Sequence, residues 1–142
     1  MPRAGGRRGA GAPPSEERKN MVTIKELQAF GEAWNRHDVD AIMTFMADDC
    51  VFETTAGKEV CGTRYEGRER VREAFARVFK MFPDAQFGNA RHFVAGDRGL
   101  SEWVFTGTTA EGKKLEVNGC DVFTFANGKI AKKDSYFKNR FA

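Results

Sequence analysis

The chain has 142 residues, 41% of them hydrophobic, and a formal net charge of +3. This length and composition are typical of one globular domain with enough apolar side chains for a core. The sequence has no apolar run of membrane-spanning length and no signal-peptide pattern, so we expect no membrane attachment and a cytoplasmic location.

The first 20 residues differ from the rest in composition. They are rich in Gly, Ala, Pro and Arg, which cannot support a packed core, so we predict a disordered leader over residues 1–20. This segment accounts for the net positive charge, and the remaining residues balance. We therefore predict no nucleic-acid face on the folded domain. An RNA contact through the Arg-Gly leader, a poor transit peptide and a true start at Met21 remain alternatives.

The folded part begins with "VTIKELQAFGEAWNRHD". Thr23 and Glu26 have the spacing of a capping box at a helix start. Leu27, Phe30 and Trp34 then follow helical spacing along one face. The pattern predicts an amphipathic helix with an apolar stripe.

Two short elements follow. Asp38 is a candidate N-cap of a second helix, in which Ile42, Phe45 and Met46 face the interior. "DDCVFETTAG" predicts a turn and a short strand that contains Val51 and Phe52.

A third helix is predicted in "GRERVREAFARVFKMFP". The residues Val71, Phe75, Val78, Phe79 and Phe82 follow helical spacing, and Pro83 ends the element.

The remaining sequence alternates with a period of two, which predicts strands at residues 86–95, 99–109, 114–126 and 129–138. Asn127-Gly128 between two of them is a strong hairpin signal. The element order α-α-β-α-β-β-β-β predicts an α+β fold, in which a curved antiparallel sheet wraps around three N-terminal helices and leaves a pocket at one end. We assign residues 22–138 to this domain and 139–142 to a C-terminal tail.

One strand carries an acid within an apolar face. Val117, Gly119, Asp121, Phe123 and Phe125 share that face. A buried unpaired carboxylate is costly, so Asp121 is paired, protonated or facing a cavity. We interpret it as a general acid or base in a pocket. The alternative is a structural Asp held by backbone amides or by an Arg.

Other polar residues are weaker candidates. His92 could pair with Asp121 across the sheet as a proton shuttle, if Phe87 and Phe93 face the other way; otherwise it is a structural histidine. Glu102 is interpreted as a charge partner of Arg91 or Lys133 on the solvent or dimer face, and a pocket carboxylate is its alternative.

Aromatic and basic side chains complete the candidates. Tyr65, Trp103 and Tyr136 are amphipathic aromatics of the kind that line ligand pockets, although core packing remains an alternative for each. The basic end of the sequence, which includes Lys133, is interpreted as a solvated strand edge, and anion or lipid recognition is its alternative.

Cysteine and histidine usage argues against a metal centre. The three cysteines are odd in number and lack metal-ligand spacing, so we expect reduced thiols. With only two histidines, no metal site is predicted.

Four segments together resemble the nuclear transport factor 2-like superfamily and its SnoaL-like branch: "AWNRHDVDAIMTFMADDCVFE", "YEGRERVREAFARVFKMFPD", "WVFTGTT" and "DVFTFANGKI". The resemblance covers about residues 22–138. It implies a cone-shaped α+β barrel with an apolar pocket, commonly a homodimer through the outer sheet face. The family includes isomerases, epoxide hydrolases, polyketide cyclases, dehydratases and noncatalytic binders, so the fold does not choose the function.

Position by position, the resemblance is partial. Against the ketosteroid isomerase pattern, Asp121 is kept, Phe30 replaces a Tyr and Thr54 replaces the general base. The epoxide hydrolase pattern is absent, since Trp103 and Phe105 stand at its Arg and Asp positions. Against the polyketide cyclase pattern, the main acid is again Asp121, while Thr109 replaces a partner His.

Two functional hypotheses follow. The first is a cofactor-independent isomerase, cyclase or dehydratase in which Asp121 moves a proton on a small apolar carbonyl compound. The candidate site residues are Asp121 and His92 for catalysis and Tyr65, Trp103, Phe30, Thr54, Phe123 and Tyr136 for ligand binding. The second is a noncatalytic ligand-binding or dimerisation module. An enzyme should show a second titratable or donor group within reach of Asp121.

Overall fold

The computed structural model describes residues 21–140, so the predicted leader and the last two residues lie outside the described part. Its helices are α1 (Ile24–Asn35), α2 (Val39–Met43) and α3 (Arg68–Met81). Its strands are β1 (Met46–Glu53), β2 (Arg64–Glu66), β3 (Gln86–Ala95), β4 (Arg98–Thr108), β5 (Lys114–Ala126) and β6 (Lys129–Phe137). None of these helices has the length and apolar character needed to cross a membrane.

Helix α1 begins at the predicted capping box. The Thr23 hydroxyl accepts a hydrogen bond from the Glu26 backbone N–H at 3.1 Å, and the Glu26 carboxylate accepts one from the Thr23 backbone N–H at 2.9 Å. The stripe of Leu27, Phe30 and Trp34 is buried, as predicted. The capping interactions therefore fix where this helix begins, and the apolar stripe determines which face packs inward.

The strands form one curved sheet in the order β2-β1-β6-β5-β4-β3. The four predicted C-terminal strands are confirmed, and the hairpin residues Asn127 and Gly128 have φ values of 52° and 75°, as a tight turn between twisted strands requires. β1 and β6 pair in parallel, whereas the other neighbouring strands are antiparallel. The short strand β2 was not predicted, because three residues carry too little alternation.

Strand β3 contains a β-bulge. Gly88 lies opposite Val104 while Arg91 lies opposite Glu102, so β3 has one residue more than β4 over this span. Asn89, inside the bulge, has a φ of 52°. One extra residue reverses the alternation of side chains beyond it.

Strand β6 contains a second register shift. Ile130 lies opposite Phe125, but Lys132 lies opposite Thr124, so Ala131 is the extra residue. As a result Ile130 and Lys133, three positions apart, are both buried.

The core lies between the helices and the helix-facing side of the sheet. Phe30 packs edge-on against Phe123, and Trp34 packs edge-on against Phe75. Phe75 and Phe123 are fully buried, which stabilises the fold by roughly 2–3 kcal/mol for each side chain. Phe30, Trp34 and Phe123 also line the cavities of the candidate site.

Candidate functional site

A buried ion pair lies at the centre of the sheet. The Nζ of Lys133 on β6 lies 2.9 Å from Oδ1 of Asp121 on β5, and the two side chains are only 6% and 8% exposed. This position is in the middle of the sheet, because β6 lies between β1 and β5. The prediction of a solvated strand edge is therefore wrong for Lys133.

Two further donors hold the Asp121 carboxylate. Ser135 donates its hydroxyl to Oδ1 at 2.5 Å, and the indole N–H of Trp103 donates to Oδ2 at 3.1 Å. Lys133 also donates to the Ser135 hydroxyl at 2.9 Å. Asp121 is thus held by a lysine, a serine and an indole, and not by the backbone amides or the Arg that the sequence suggested as alternatives.

Three aromatic rings surround the Lys133 ammonium group. Its Nζ lies 4.8 Å from the ring centre of Trp34, 4.9 Å from that of Phe52 and 5.7 Å from that of Phe75. Ring faces attract a cation through their quadrupole. The rings and Asp121 together keep a charged group in an otherwise apolar interior.

A glycine makes room for one member of this network. The Trp103 ring lies across Gly119 on the neighbouring strand, and a Cβ at position 119 would overlap the ring carbons and the Tyr136 carbonyl oxygen. Gly119 therefore allows Trp103 to reach Asp121. From the sequence, Gly119 was identified only as a residue without a side chain on the apolar face of the strand.

His92 faces the site but does not contact Asp121. Its Nδ1 lies 2.7 Å from the Ser101 hydroxyl, and Ser101 lies directly opposite Asp121 in the sheet. The expected direct pairing with Asp121 is wrong, since β4 separates β3 from β5. Burial lowers the pKa of His92 below its ordinary value, so the imidazole is neutral at pH 7.

Because of the bulge in β3, the side chains of two phenylalanines do not point in the direction that strict alternation predicts. Phe87 packs inward against Trp34 and Trp103, whereas Phe93 is 47% exposed. The two residues were expected to share a face, but the extra residue between them places them on opposite faces.

Two cavities adjoin the ion pair. The first, here called the apolar cavity, has a volume of about 330 Å³ and includes Phe52, Thr54, Tyr65, Val78, Met81 and Phe105 in its lining. The second, here called the polar cavity, has a volume of about 410 Å³ and includes Gln28, Phe30, His92, Ser101, Asp121 and Phe123. Trp34, Phe87, Trp103 and Lys133 line both cavities.

Most of the residues proposed from the sequence lie at these cavities. Tyr136 does not: it is 53% exposed on the outer side of the sheet, where its hydroxyl donates to Asp134. Alternation places it there, because its neighbour Ser135 faces inward. Glu102 is exposed on that outer side, where it lies opposite Arg91. It does not pair with Lys133, whose side chain faces inward.

Sequence reasoning missed Lys133 and Ser135 as members of the site. Their inward direction depends on the bulge at Ala131, for which the sequence gives no clear signal. Among residues 21–140 no cluster of three or more His, Cys, Asp or Glu side chains is arranged to hold a metal ion.

Three helices against one curved sheet, with cavities enclosed between them, define a cone of the nuclear transport factor 2-like class. The sequence profile of the SnoaL-like domain matches residues 27–133, and the chain belongs to this family. The resemblance noted from the sequence is thereby confirmed. No curated protein matches the chain.

Solved structures show the same fold. A proposed polyketide cyclase of Pseudomonas putida is 19% identical with a TM-score of 0.74, and the match covers 83% of this chain and 92% of that one. A proposed polyketide cyclase of Xanthomonas campestris is 23% identical with a TM-score of 0.73, covering 87% and 93%. A Catenulispora acidiphila protein with a ketosteroid isomerase-like fold, in complex with trimethylamine, is 21% identical with a TM-score of 0.69, covering 81% and 86%.

Proposed function

We propose that this SnoaL-like protein binds a small, largely apolar carbonyl compound and moves a proton on it without a cofactor. The observation that supports this most is the buried pair of Asp121 and Lys133 beside two cavities. Lys133 is the second titratable group within reach of Asp121 that an enzyme of this kind needs. Two of the structurally similar proteins are themselves proposed polyketide cyclases, which agrees with this class of chemistry.

The pair has hydrogen-bonding capacity left for a ligand. A carboxylate offers about four acceptor sites, and Asp121 uses three of them within the described residues. An ammonium group has three N–H donors, and Lys133 uses two on Asp121 and Ser135. One acceptor site on Oδ2 of Asp121 and one N–H of Lys133 thus remain, and these groups suit the C–H beside a carbonyl and the carbonyl oxygen itself.

The proposed chemistry follows from these free groups. Asp121 removes a proton from the carbon beside the carbonyl, and the electron pair of that C–H bond moves into a C=C bond as the carbonyl oxygen becomes an enolate oxygen. Lys133 donates a hydrogen bond to that oxygen and stabilises its charge in a water-poor site. Where the ligand carries a C=C bond next to that carbon, the enolate is conjugated with it, and Asp121 returns the proton to the far carbon of that bond. The C=C bond thereby moves into conjugation with the re-formed carbonyl, which completes an isomerisation.

Stability alone is a poor reason to bury this pair. Buried ion pairs contribute little more than well-packed apolar residues of the same volume, because desolvation offsets most of their attraction. A largely apolar pocket with a few converging polar groups is the usual form of a ligand site. The position of the pair at two cavities therefore supports a role towards a ligand.

A noncatalytic binding module is the second candidate. One observation favours it: Oδ1 of Asp121 already accepts two hydrogen bonds, so the carboxylate is held in place by its partners. The replacements at Phe30, Thr54 and Thr109 relative to the family's catalytic patterns agree with this alternative.

Exchange of carbon-bound hydrogen with solvent separates the two candidates. We would incubate β-tetralone, an enolisable bicyclic ketone, with the protein in D₂O and follow loss of the α-proton signals by NMR. A catalyst should lose about a hundredfold or more in rate on Asp121→Asn, as expected for a general base. Asp134→Asn, which alters a neighbouring acid on the outer side, is the matched control. Exchange no faster than in buffer would support the binding module.

Association state and compartment are further parts of this proposal. Phe93 and Tyr136 are 47% and 53% exposed on the outer side of the sheet, which supports a homodimer through that face. Light scattering after size exclusion would test this, and a monomer would contradict it. The described cysteines are free thiols, which agrees with a reducing compartment such as the cytoplasm.

A further inference from the structure

We propose that His92 and Ser101 form a second polar subsite, which recognises a hydroxyl group on the ligand at a distance from the reacting carbonyl. This inference rests on the proposed function and narrows its substrate class to apolar hydroxy ketones. Four aspects of the structure support it.

The first is the direction of His92. The bulge at Asn89 reverses the alternation of β3, so that Phe87 and His92 both face the helix-facing side although they are five positions apart. Without the extra residue, one of them would face outward. The bulge places an imidazole in the wall of a cavity that already contains Asp121 and Lys133.

The second is the geometry of the two side chains. Nδ1 of His92 lies 2.7 Å from the Ser101 hydroxyl, and Ser101 is only 5% exposed. This contact fixes the plane of the imidazole ring. Within the described residues the ring makes this one hydrogen bond, so Nε2 keeps its capacity for a ligand.

The third is the chemistry of the subsite. Burial lowers the pKa of His92, so a neutral imidazole stands beside a neutral hydroxyl. Each of these groups can both donate and accept a hydrogen bond. A ligand hydroxyl, which also does both, is their natural complement. Gln28 and Asn35 line the same cavity and add neutral polar residues to it, and Glu32 also lies in its wall.

The fourth is the spacing from the ion pair. His92, Ser101 and Asp121 lie opposite one another on three successive strands. Neighbouring strands are about 4.8 Å apart, so the backbones at His92 and Asp121 are separated by roughly 10 Å. A ligand that contacts both the His92 imidazole and the Asp121–Lys133 pair therefore carries its hydroxyl several bonds away from its ketone.

Two probes test this inference: β-tetralone and its derivative with a phenolic hydroxyl on the aromatic ring. Their dissociation constants would be measured by titration calorimetry for wild type, His92→Phe and Ser101→Ala. We expect the hydroxylated ketone to bind wild type roughly three- to tenfold more tightly than the parent ketone, as one neutral hydrogen bond predicts. The ratio should fall to about one in both variants. His37→Phe, at the other histidine, is the control and should keep the wild-type ratio, because His37 lines neither cavity.

The outcomes separate this inference from the proposed function. A ratio that survives in His92→Phe would overturn the subsite, even if α-proton exchange depends on Asp121. Conversely, the α-proton exchange rate could be unchanged in Asp121→Asn while the ratio of the two dissociation constants falls in His92→Phe. This result would overturn the proposed catalysis and support the subsite. If wild type binds neither ketone, or binds both equally, the inference is wrong.

Discussion

Lys133 and Asp121 lie on neighbouring strands with their charged groups 2.9 Å apart. Trp34 covers the ammonium group of Lys133, and Trp103 covers the carboxylate of Asp121. Each charge is acceptable in the interior only because the other is present. Removing one partner therefore leaves a buried charge without compensation, whereas removing both does not.

Lys133→Met should lower the free energy of unfolding by about 3–5 kcal/mol, since Asp121 then lacks its counter-ion. The double variant Asp121→Leu/Lys133→Met should unfold at a free energy close to that of wild type, because apolar groups of similar volume replace the pair. Urea unfolding at neutral pH measures both. A single variant as stable as wild type would show that the pair is not desolvated as the structure indicates.

Gly119→Ala should destabilise the protein by about 1–3 kcal/mol, because the added methyl group overlaps the Trp103 ring. The displaced ring would also lose its hydrogen bond to Asp121, which a changed tryptophan emission spectrum would report. Gly88→Ala is the matched control, since a Cβ there meets no atom closer than 3.9 Å. Equal effects of the two substitutions would contradict this role of Gly119.

The stability of the protein should decrease in mild acid through His92. Its folded-state pKa is lowered by burial from the ordinary value of 6.5, so the unfolded chain takes up this proton first. The contribution of neutral His92 to the unfolding free energy is fully present above about pH 6.5 and is lost as the pH falls below that value. Below the folded-state pKa this loss is complete, and the unfolding free energy no longer changes through His92.

His92→Gln supplies the comparison for this pH effect. As the pH falls through this window, the unfolding free energy of wild type should decrease more than that of the variant. NMR titration of the imidazole in the folded protein gives the pKa directly. A pKa at or above 6.5 would contradict the prediction.

Local sequence signals predicted the elements of the fold because their causes are local. Thr23 and Glu26 satisfy the first N–H groups of α1, and Asn127 and Gly128 accept the positive φ values of the hairpin. Alternation along β5 likewise placed Asp121 on the buried face. Each of these signals lies within a few residues of the structure that it specifies.

The site depended on information that is not local. His92 and Lys133 both follow an extra residue in their strand, and the pairing with a neighbouring strand determines where that residue is accommodated. From Ile130 onward, strict alternation would have placed Lys133 outside. A run of basic residues therefore looked like a solvated edge, although one of them is the partner of the predicted acid.

The central claim is that the Asp121–Lys133 pair acts on a ligand rather than only holding the fold. The most direct test is the rate at which Asp121→Leu/Lys133→Met exchanges the α-protons of β-tetralone in D₂O, measured by NMR beside wild type. Because the double variant should remain folded, its activity reports on the pair itself. We expect exchange to fall to the rate in buffer; exchange at the wild-type rate in the folded double variant would contradict the claim.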